Sequence, residues 1–145
     1  MREQYIRDGD AFLIVYSLSS RPTLDAVKRF HEEILRVKGR AASNIPILII
    51  GNKSDLGPED RKLSAKEGRA LSDELGAAGF LETSAKNGSN VDEAFHDAVR
   101  SWVRISAENK RQEDERILAA ERERQKGEKV TLRDRVSRFI SKLKT

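Results

Sequence analysis

The sequence predicts an α/β domain of three layers, in which helices cover both faces of a sheet of three parallel strands, followed by a long charged helical tail. Apolar runs of strand length alternate along the chain with stretches of helical period. The connections between them are short, which favours parallel strands with helices on both faces. At 145 residues, the chain has room for one domain with an appendage.

Three apolar runs are predicted to form the strands. The first, residues 11–16, is apolar without interruption, which is typical of a strand covered on both faces. The second is residues 45–50, and the third is the short run 79–82. Each is bounded by polar or turn-forming residues, as expected for strands of a small sheet.

Two helices are predicted between these strands. Apolar residues recur at helical spacing over residues 24–37, and Gly39 is expected to end that helix. In the second helix, Ser64 and Glu67 have the spacing of a capping box, and Gly76 is expected to close it.

A last helix is predicted to begin at Val91, after Asn90. We expect its apolar stripe to lie against the sheet, with Trp102 as a core residue rather than a partner-binding one. The stripe consists of Val91, Phe95, Ala98, Val99, Trp102 and Val103.

Beyond this domain, assigned to residues 1–105, the chain changes in composition. Residues 106–129 are predicted to be a charged helical extension that Gly127 breaks. Residues 130–145, the basic tail, are predicted to form a separate amphipathic helix that Thr131 and Asp134 cap.

The net charge of +4 is unevenly distributed, since residues 126–145 alone hold seven basic and two acidic side chains. Aromatic residues are only 6%, and no nucleic-acid-binding motif accompanies the basic residues, so no nucleic-acid partner is predicted. The chain has no cysteine, which excludes disulfides, thiolate metal sites and prenylation within this sequence. With no apolar run long enough to span a membrane, we expect a cytoplasmic location.

Two polar runs each follow a predicted strand, Gly51-Asn52-Lys53-Ser54-Asp55 and Glu82-Thr83-Ser84-Ala85-Lys86. A carboxylate held at the end of a strand can accept two parallel hydrogen bonds from neighbouring N–H groups on one edge of a ligand. Guanine offers such a pair, in its ring N–H and its exocyclic amine, whereas adenine does not. A base with such a pair of donors is therefore one ligand that a carboxylate in these runs could accept.

Asn-Lys-x-Asp followed by Ser-Ala-Lys, each after a strand, resembles the guanine-recognition half of a small GTPase of the Ras family. The resemblance covers roughly residues 1–104. Residues 1–7 resemble the end of the switch II helix, residues 11–17 the strand that follows it, and residues 33–38 the end of the next helix. The resemblance implies a partial P-loop NTPase (Ras-like) fold with GTP or GDP as the ligand.

The resemblance also implies roles for individual residues. Asp55 would accept the ring N–H and the amine of guanine, and Ser84 would brace that carboxylate. Asn52 would contact the far edge of the base and connect the two loops. Leaving such groups unpaired against adenine would cost roughly 1–3 kcal/mol each, which is the source of base selectivity.

Three further residues would complete the contacts with the base. Lys53 and Lys86 would lay their aliphatic stems against its two faces, and the backbone N–H of Ala85 would donate to the guanine carbonyl. The resemblance assigns no catalytic residue and no metal ligand to this sequence. His31 and His96 have no second ligand at metal spacing.

The phosphate-binding half of the family pattern does not occur in the sequence. There is no Gly-x4-Gly-Lys-Ser/Thr loop, no switch I and no Asp-x-x-Gly after a strand. We therefore expect neither Mg2+ binding nor GTP hydrolysis by this chain alone, and weak nucleotide binding at most.

Two hypotheses follow for the function. In the first, the chain is the C-terminal part of a Ras-family GTPase, a signal-transduction switch when complete, whose partners are guanine nucleotides and the regulatory proteins of such a switch. In the alternative, it is a catalytically dead pseudo-GTPase that binds a partner through the first helix or through the first strand, which would be an open apolar sheet edge.

The basic tail has two interpretations of its own. Its apolar residues with basic neighbours are typical of a helix that lies on an anionic membrane, here the inner face of the plasma membrane. The same pattern fits a helix that packs on the domain's own surface.

Overall fold

The computed structural model describes residues 2–143, and of residues 2, 128–130, 132 and 140–143 it describes the backbone alone. The described part contains a sheet of three strands, β1 (Phe12–Ser17), β2 (Ile47–Asn52) and β3 (Gly79–Thr83). The α-helices are α1 (Arg2–Asp8), α2 (Arg21–Lys38), α3 (Ala65–Glu74) and α4 (Val91–Leu143), and a 3-10 helix (Gly39–Asn44) connects α2 to β2.

The strands are parallel and lie in the order β1-β2-β3. The register pairs Ser17 with Asn52 and Asn52 with Thr83. The carboxyl ends of all three strands therefore meet at one edge of the sheet, which is where ligands bind in open α/β sheets.

Helices cover both faces of the sheet. Ile14 and Tyr16 of β1 and Ile49 of β2 belong to a core that also takes side chains from α1, α2 and α3. On the opposite face, Leu48 and Ile50 pack with α4. The predicted three-layer architecture with three parallel strands is thus confirmed.

Several predicted helix ends are confirmed by their capping geometry. Gly39 follows α2 with a φ of +53°, and its N–H donates to the Leu35 carbonyl, as glycine does at helix C-termini. Ser64 Oγ accepts from the Glu67 N–H at 3.3 Å, and Glu67 Oε2 accepts from the Ser64 N–H at 2.9 Å. The capping box is therefore closed on both sides.

The strand β2 begins and ends two residues later than predicted. Pro46 has no N–H to donate to a neighbouring strand, and its carbonyl accepts from the Phe12 N–H at 2.9 Å just before regular pairing begins. At the other end, Gly51 and Asn52 pair with β1 and β3. Asn52 is consequently part of the strand rather than of the loop that follows it.

Only part of the predicted stripe of α4 lies against the sheet, since Ala98 packs there whereas most of the large residues of the stripe are exposed. The residues that pack there are Ala94 and Ala98, whose small side chains allow the helix to come close to β2. Phe95 is 60% exposed and Trp102 is 40% exposed, so the interpretation of Trp102 as a core residue was wrong. Each successive residue is rotated by about 100° around the helix axis. Phe95 and Trp102 therefore lie to one side of the face of α4 on which Ala94 and Ala98 pack against the sheet.

The expectation that β1 is covered on both faces was also wrong. Ile14 and Tyr16 are buried, whereas Val15, which points to the opposite face, is 57% exposed. On this face of the sheet, α4 covers mainly Leu48 and Ile50 of β2 and Leu81 of β3. In the described part of the chain, β1 lies at one edge of the sheet and pairs with β2.

The chain divides into two compact units, Met1–Ser106 and Ala107–Thr145. Within the second unit, the described residues are helical throughout, so Gly127 does not break the helix as predicted. The Thr131 hydroxyl donates to the Gly127 carbonyl at 2.8 Å and therefore is not the cap of a new helix. A glycine in a helix interior costs only about 1 kcal/mol relative to alanine, which the helix-forming neighbours offset.

The apolar residues of this second unit are accessible where their side chains are described. Val136 and Phe139 are both at least half exposed. In the described part of the chain, no helix is both long enough and apolar enough to cross a membrane.

Candidate functional site

The two polar runs singled out in the sequence lie side by side at the carboxyl edge of the sheet. Asn52 is the last residue of β2, Thr83 is the last residue of β3, and the two are paired in the register. The Ser54 N–H donates to the Thr83 carbonyl at 2.9 Å. Because both loops leave adjacent parallel strands at the same level, their side chains are brought together from positions about thirty residues apart.

A hydrogen bond connects Asp55 to Ser84. Ser84 Oγ donates to Asp55 Oδ1 at 2.5 Å. Ser84 is fully buried, and its N–H donates to the Ser89 carbonyl at 2.9 Å. Asp55 itself is exposed, so a carboxylate that faces solvent is oriented by a hydroxyl fixed in the interior.

The ionised form of Asp55 is favoured by its surroundings. The hydrogen bond from Ser84 lowers the pKa of the Asp55 carboxyl, and the backbone N–H of Asp55 and the charges of Lys86 and Lys53 lower it further. The pKa of an unperturbed aspartate is already far below neutrality. At neutral pH the group is therefore a pure acceptor, able to receive two donors from one ligand edge.

Asn52 connects the two loops. Its Oδ1 accepts from the Ala85 N–H at 3.0 Å and from Thr83 Oγ1 at 3.3 Å. Among the described residues, the Nδ2 of Asn52 has no hydrogen-bond partner, so this amide presents N–H donors to the site. Thr83 is buried and fixes the side chain of Asn52 from below.

The backbone N–H of Ala85, which was expected to donate to the guanine carbonyl, already has an acceptor. Its backbone N–H is engaged by Asn52 Oδ1 rather than free. A carbonyl oxygen of a bound base must share this donor with Asn52 or displace it. Base binding and the connection between the two loops are therefore coupled at Ala85.

Lys53 and Lys86 are both exposed at the rim of the site. Lys53 has a φ of +76°, which is uncommon for a residue with a Cβ atom. Backbone of this kind costs free energy and is concentrated at functional sites. The conformation is observed where the run 51–55 turns away from β2.

Further residues support the site through contacts that the sequence does not predict. Arg61 Nε donates to the Leu63 carbonyl at 2.9 Å, and its guanidinium also pairs with Glu82 of β3. Asn90 Nδ2 donates to the Glu82 carbonyl at 2.9 Å. Nothing in the spacing of these residues predicts that they meet, whereas Thr83 could have been suspected from its place directly before Ser84.

The structure thus brings together Asn52, Asp55, Ser84 and the Ala85 backbone through direct hydrogen bonds, with Lys53 and Lys86 close enough to act on Asp55 electrostatically. Across residues 2–143, as far as their side chains are described, no three histidine, aspartate or glutamate residues are grouped to hold a metal ion.

The chain is similar to known proteins over most of its first unit. A family model described as Ras family matches residues 1–104. The "Ras-like protein rasC" of Dictyostelium discoideum is 55% identical over 104 residues, which are 72% of this chain and 53% of that protein. The "Ras-like protein 1" of Pyricularia oryzae is 46% identical over 116 residues, covering 69% of this chain and 47% of that protein.

A "Ras-like protein" of Laccaria bicolor is 45% identical over 108 residues, which are 74% of this chain and 50% of that protein. The chain spans about half the length of the curated relatives it matches. These similarities give no support to the alternative of a catalytically dead module. The sheet of three parallel strands is a partial Ras-like P-loop fold, and the chain belongs to the Ras family.

Proposed function

We propose that this chain recognises the guanine base of GTP or GDP, as the base-binding part of a Ras-type guanine-nucleotide switch. Asp55 accepts the ring N–H and the amine, Asn52 donates to the far edge of the base, and Lys53 and Lys86 flank its two faces. The observation that carries the proposal is the hydrogen bond from buried Ser84 to exposed Asp55.

Base selectivity follows from the fixed acceptor. Because Ser84 orients Asp55, the carboxylate meets an incoming base with its oxygens already directed outward. Adenine has no adjacent pair of N–H donors on the corresponding edge, so the carboxylate would lose solvent without gaining both hydrogen bonds. A site built to accept such donors discriminates against the ligand that lacks them, by roughly tenfold or more.

Affinity for the nucleoside alone is expected to be weak. A guanine nucleoside has about twenty heavy atoms, and at ~0.3 kcal/mol per atom it supplies about 6 kcal/mol at best. That free energy corresponds to a dissociation constant of tens of micromolar. Tight binding, hydrolysis of GTP and control by regulatory proteins need phosphate contacts, for which this sequence holds no Gly-x4-Gly-Lys-Ser/Thr loop.

The proposal is tested by calorimetric titration with guanosine, adenosine and xanthosine. The wild-type chain is expected to bind guanosine in preference to the other two. Xanthosine has a carbonyl where guanosine has the amine, so Asp55→Asn, which replaces an acceptor by a donor at that point, is expected to shift the preference toward xanthosine. Asp60→Asn, in the same loop and exposed, is the matched control.

Equal binding of guanosine and adenosine by the wild-type chain would contradict the proposal. So would an Asp55→Asn variant that keeps its preference for guanosine. A shift produced equally by Asp60→Asn would show that loop charge, rather than the Asp55 carboxylate, decides the result.

We propose further that the basic tail binds anionic membrane surfaces from the cytoplasmic side. Val136 and Phe139 are exposed on α4 with Arg135 exposed beside them. An exposed apolar pair with basic neighbours is suited to the interface of a bilayer, and each Lys or Arg near an anionic leaflet contributes ~1 kcal/mol.

Co-sedimentation of the full chain with phosphatidylserine vesicles tests this second proposal. Binding is expected at low salt, with a decrease at high salt because charge attraction is screened. Phe139→Ser is expected to reduce binding, whereas Ile117→Ser, also exposed on α4 but among balanced charges, leaves it unchanged. Absence of sedimentation at low salt, or equal loss in both variants, would contradict it.

A further inference from the structure

A cavity of about 330 Å³ lies in the first unit at the amino-terminal end of the sheet, opposite the edge that carries Asn52 and Asp55. Its walls come from α2, the 3-10 helix, the start of β2, the connection from α3 to β3, and α4. The volume is at the lower end of the range of about 300–1,000 Å³ that is typical of small-molecule sites. Ile45, Pro46 and Leu75 give the cavity an apolar wall.

His31 lines this cavity from α2. It is only 7% exposed, and its ring nitrogens have no hydrogen-bond partner among the residues whose side chains are described. Burial lowers the pKa of His31, with the charge of Glu32 acting in the opposite direction. A neutral imidazole presents one N–H donor and one acceptor, and the ring nitrogens of His31 are accessible from the cavity, since Tyr16 Oη is the buried side-chain atom without a partner in the described part of the chain.

Arg104 lines the same cavity from α4. Its guanidinium forms no ion pair with any side chain in the described part of the chain. One turn earlier, Arg100 is paired with both Glu93 and Asp97. Both arginines are exposed and both line a neighbouring cavity, but only Arg104 also lines the cavity beside His31. Of these two arginines on α4, only Arg104 therefore presents an uncompensated positive charge.

We propose that this cavity binds a small apolar carboxylic acid in its ionised form, such as a short fatty acid or an aromatic carboxylate. The carboxylate pairs with Arg104, and the apolar body lies against Ile45, Pro46 and Leu75. Charge complementarity selects this class, because guanidinium groups form paired hydrogen bonds with carboxylates and repel cations.

His31 contributes to the same ligand. Its N–H donor lies on the α2 side of the cavity, where it can meet a carboxylate oxygen or the water that bridges to one. A neutral apolar molecule would use the wall but leave Arg104 and His31 unpaired. The ligand is therefore expected to need both an apolar body and a negative charge.

The cavity is independent of the proposed guanine site. The two lie at opposite ends of the same strands and share no residue. A failure of guanosine binding says nothing about the carboxylate site, and the reverse also holds.

The test is an NMR titration of the full 15N-labelled chain with naphthalene-2-carboxylate and, as the matched neutral probe, 2-naphthylmethanol. Saturable shifts are expected at the amides of Ile45 and Ala78 and at the His31 ring, with a dissociation constant on the order of 1 mM. The alcohol is expected to bind at least about fivefold more weakly, because it cannot form the charged pair.

Two variants locate the charge. Arg104→Gln is expected to weaken binding of the carboxylate to the level of the alcohol, whereas Arg100→Gln, one turn earlier on α4, leaves it unchanged. The dispersion of the amide spectrum shows that both variants are folded. Absence of saturable shifts, equal binding of acid and alcohol, or equal loss in both variants would each overturn the proposal.

Discussion

Ser84 Oγ lies 2.5 Å from Asp55 Oδ1 across 29 positions of sequence. The hydroxyl belongs to a fully buried residue and the carboxylate to an exposed one. The orientation of the proposed base acceptor therefore depends on how well the loop after β3 is held in the interior.

Replacing Ser84 by alanine is expected to weaken guanosine binding while leaving the fold intact. The variant removes the side-chain donor that orients Asp55, and a charge-assisted hydrogen bond of this kind corresponds to a change of roughly five- to tenfold in affinity. Calorimetric titration measures the change. Ser89→Ala is the control, because Ser89 takes part in this loop through its backbone carbonyl, and an unchanged affinity in Ser84→Ala would contradict the role of the hydroxyl.

Replacing Asn52 by alanine is expected to loosen the connection between the two loops. The variant removes the acceptor of the Ala85 N–H, so exchange of that amide with solvent should accelerate. Hydrogen exchange followed by NMR measures the effect, with Asn44→Ala, in the exposed 3-10 helix, as the control. Protection of Ala85 that is equal in both variants would show that Asn52 does not hold the loop.

The pairing of these loops is the part of the site that the sequence could predict. Asn52 and Asp55 follow one apolar run and Ser84 follows another, and parallel strands place such ends together. The roles expected for Asp55 and Ser84 came from the resemblance to small GTPases, and the register of the strands is what brings the two side chains within reach of each other. The connection of the two loops by Asn52 was expected, but not that its acceptor would be the Ala85 N–H, because that contact depends on how the two loops pack against each other.

The orientation of α4 illustrates what periodicity leaves open. The pattern shows that Phe95 and Trp102 share a flank, but not that another element covers it. The residues of α4 that pack against the sheet are Ala94 and Ala98, because their small side chains permit close approach of the helix. The Arg61–Glu82 pair was equally hidden, since it arises only when the loop before α3 returns to β3.

The stability of the first unit is expected to fall between about pH 4.5 and pH 2 through Glu67. The Ser64 N–H, the Arg21 guanidinium and the Ser64 hydroxyl lower the pKa of Glu67 from 4.5 to about 2. Because the folded pKa lies below the unfolded one, the stabilisation is present above pH 4.5 and is lost as the pH falls through 2.

Urea unfolding at pH 6 and pH 3 measures the contribution of Glu67. Glu67→Gln is expected to lower the midpoint more at pH 6 than at pH 3 relative to wild type, because at pH 3 the Glu67 carboxyl is largely protonated in the unfolded chain and contributes less to stability. Glu59→Gln, in an exposed loop, should leave the difference between the two pH values unchanged. A loss that is independent of pH would assign the effect to the cap geometry rather than to ionisation.

Tyr16→Phe is expected to leave the stability unchanged or raise it by up to about 1 kcal/mol. Tyr16 is 2% exposed, and its Oη is a buried atom without a hydrogen-bond partner among the described residues. Burial raises the pKa of Tyr16 to about 12, so the hydroxyl stays neutral. Removing an unsatisfied buried hydroxyl recovers its desolvation cost, and a loss above 1 kcal/mol in urea unfolding would show that a bound water satisfies it.

Gly68 and Gly127 are both helical glycines, and substitution by alanine is expected to have opposite effects at the two positions. A Cβ at Gly68 would clash with Tyr16 Oη and with the ring of Phe80, whereas a Cβ at Gly127 would meet nothing within 4 Å. Alanine favours a helix by about 1 kcal/mol over glycine, but overpacking a core costs about 1–3 kcal/mol.

Gly68→Ala is therefore expected to destabilise the first unit, and Gly127→Ala to raise the helix content of the second. Urea unfolding followed by Trp102 fluorescence measures the first effect, and circular dichroism at 222 nm measures the second. The same substitution thus separates packing from propensity, because helix propensity favours alanine at both positions whereas a Cβ meets other atoms only at Gly68. A stabilised Gly68→Ala would mean that Tyr16 and Phe80 move aside at little cost, and an unchanged helix content in Gly127→Ala would mean that propensity does not limit the helix at that point.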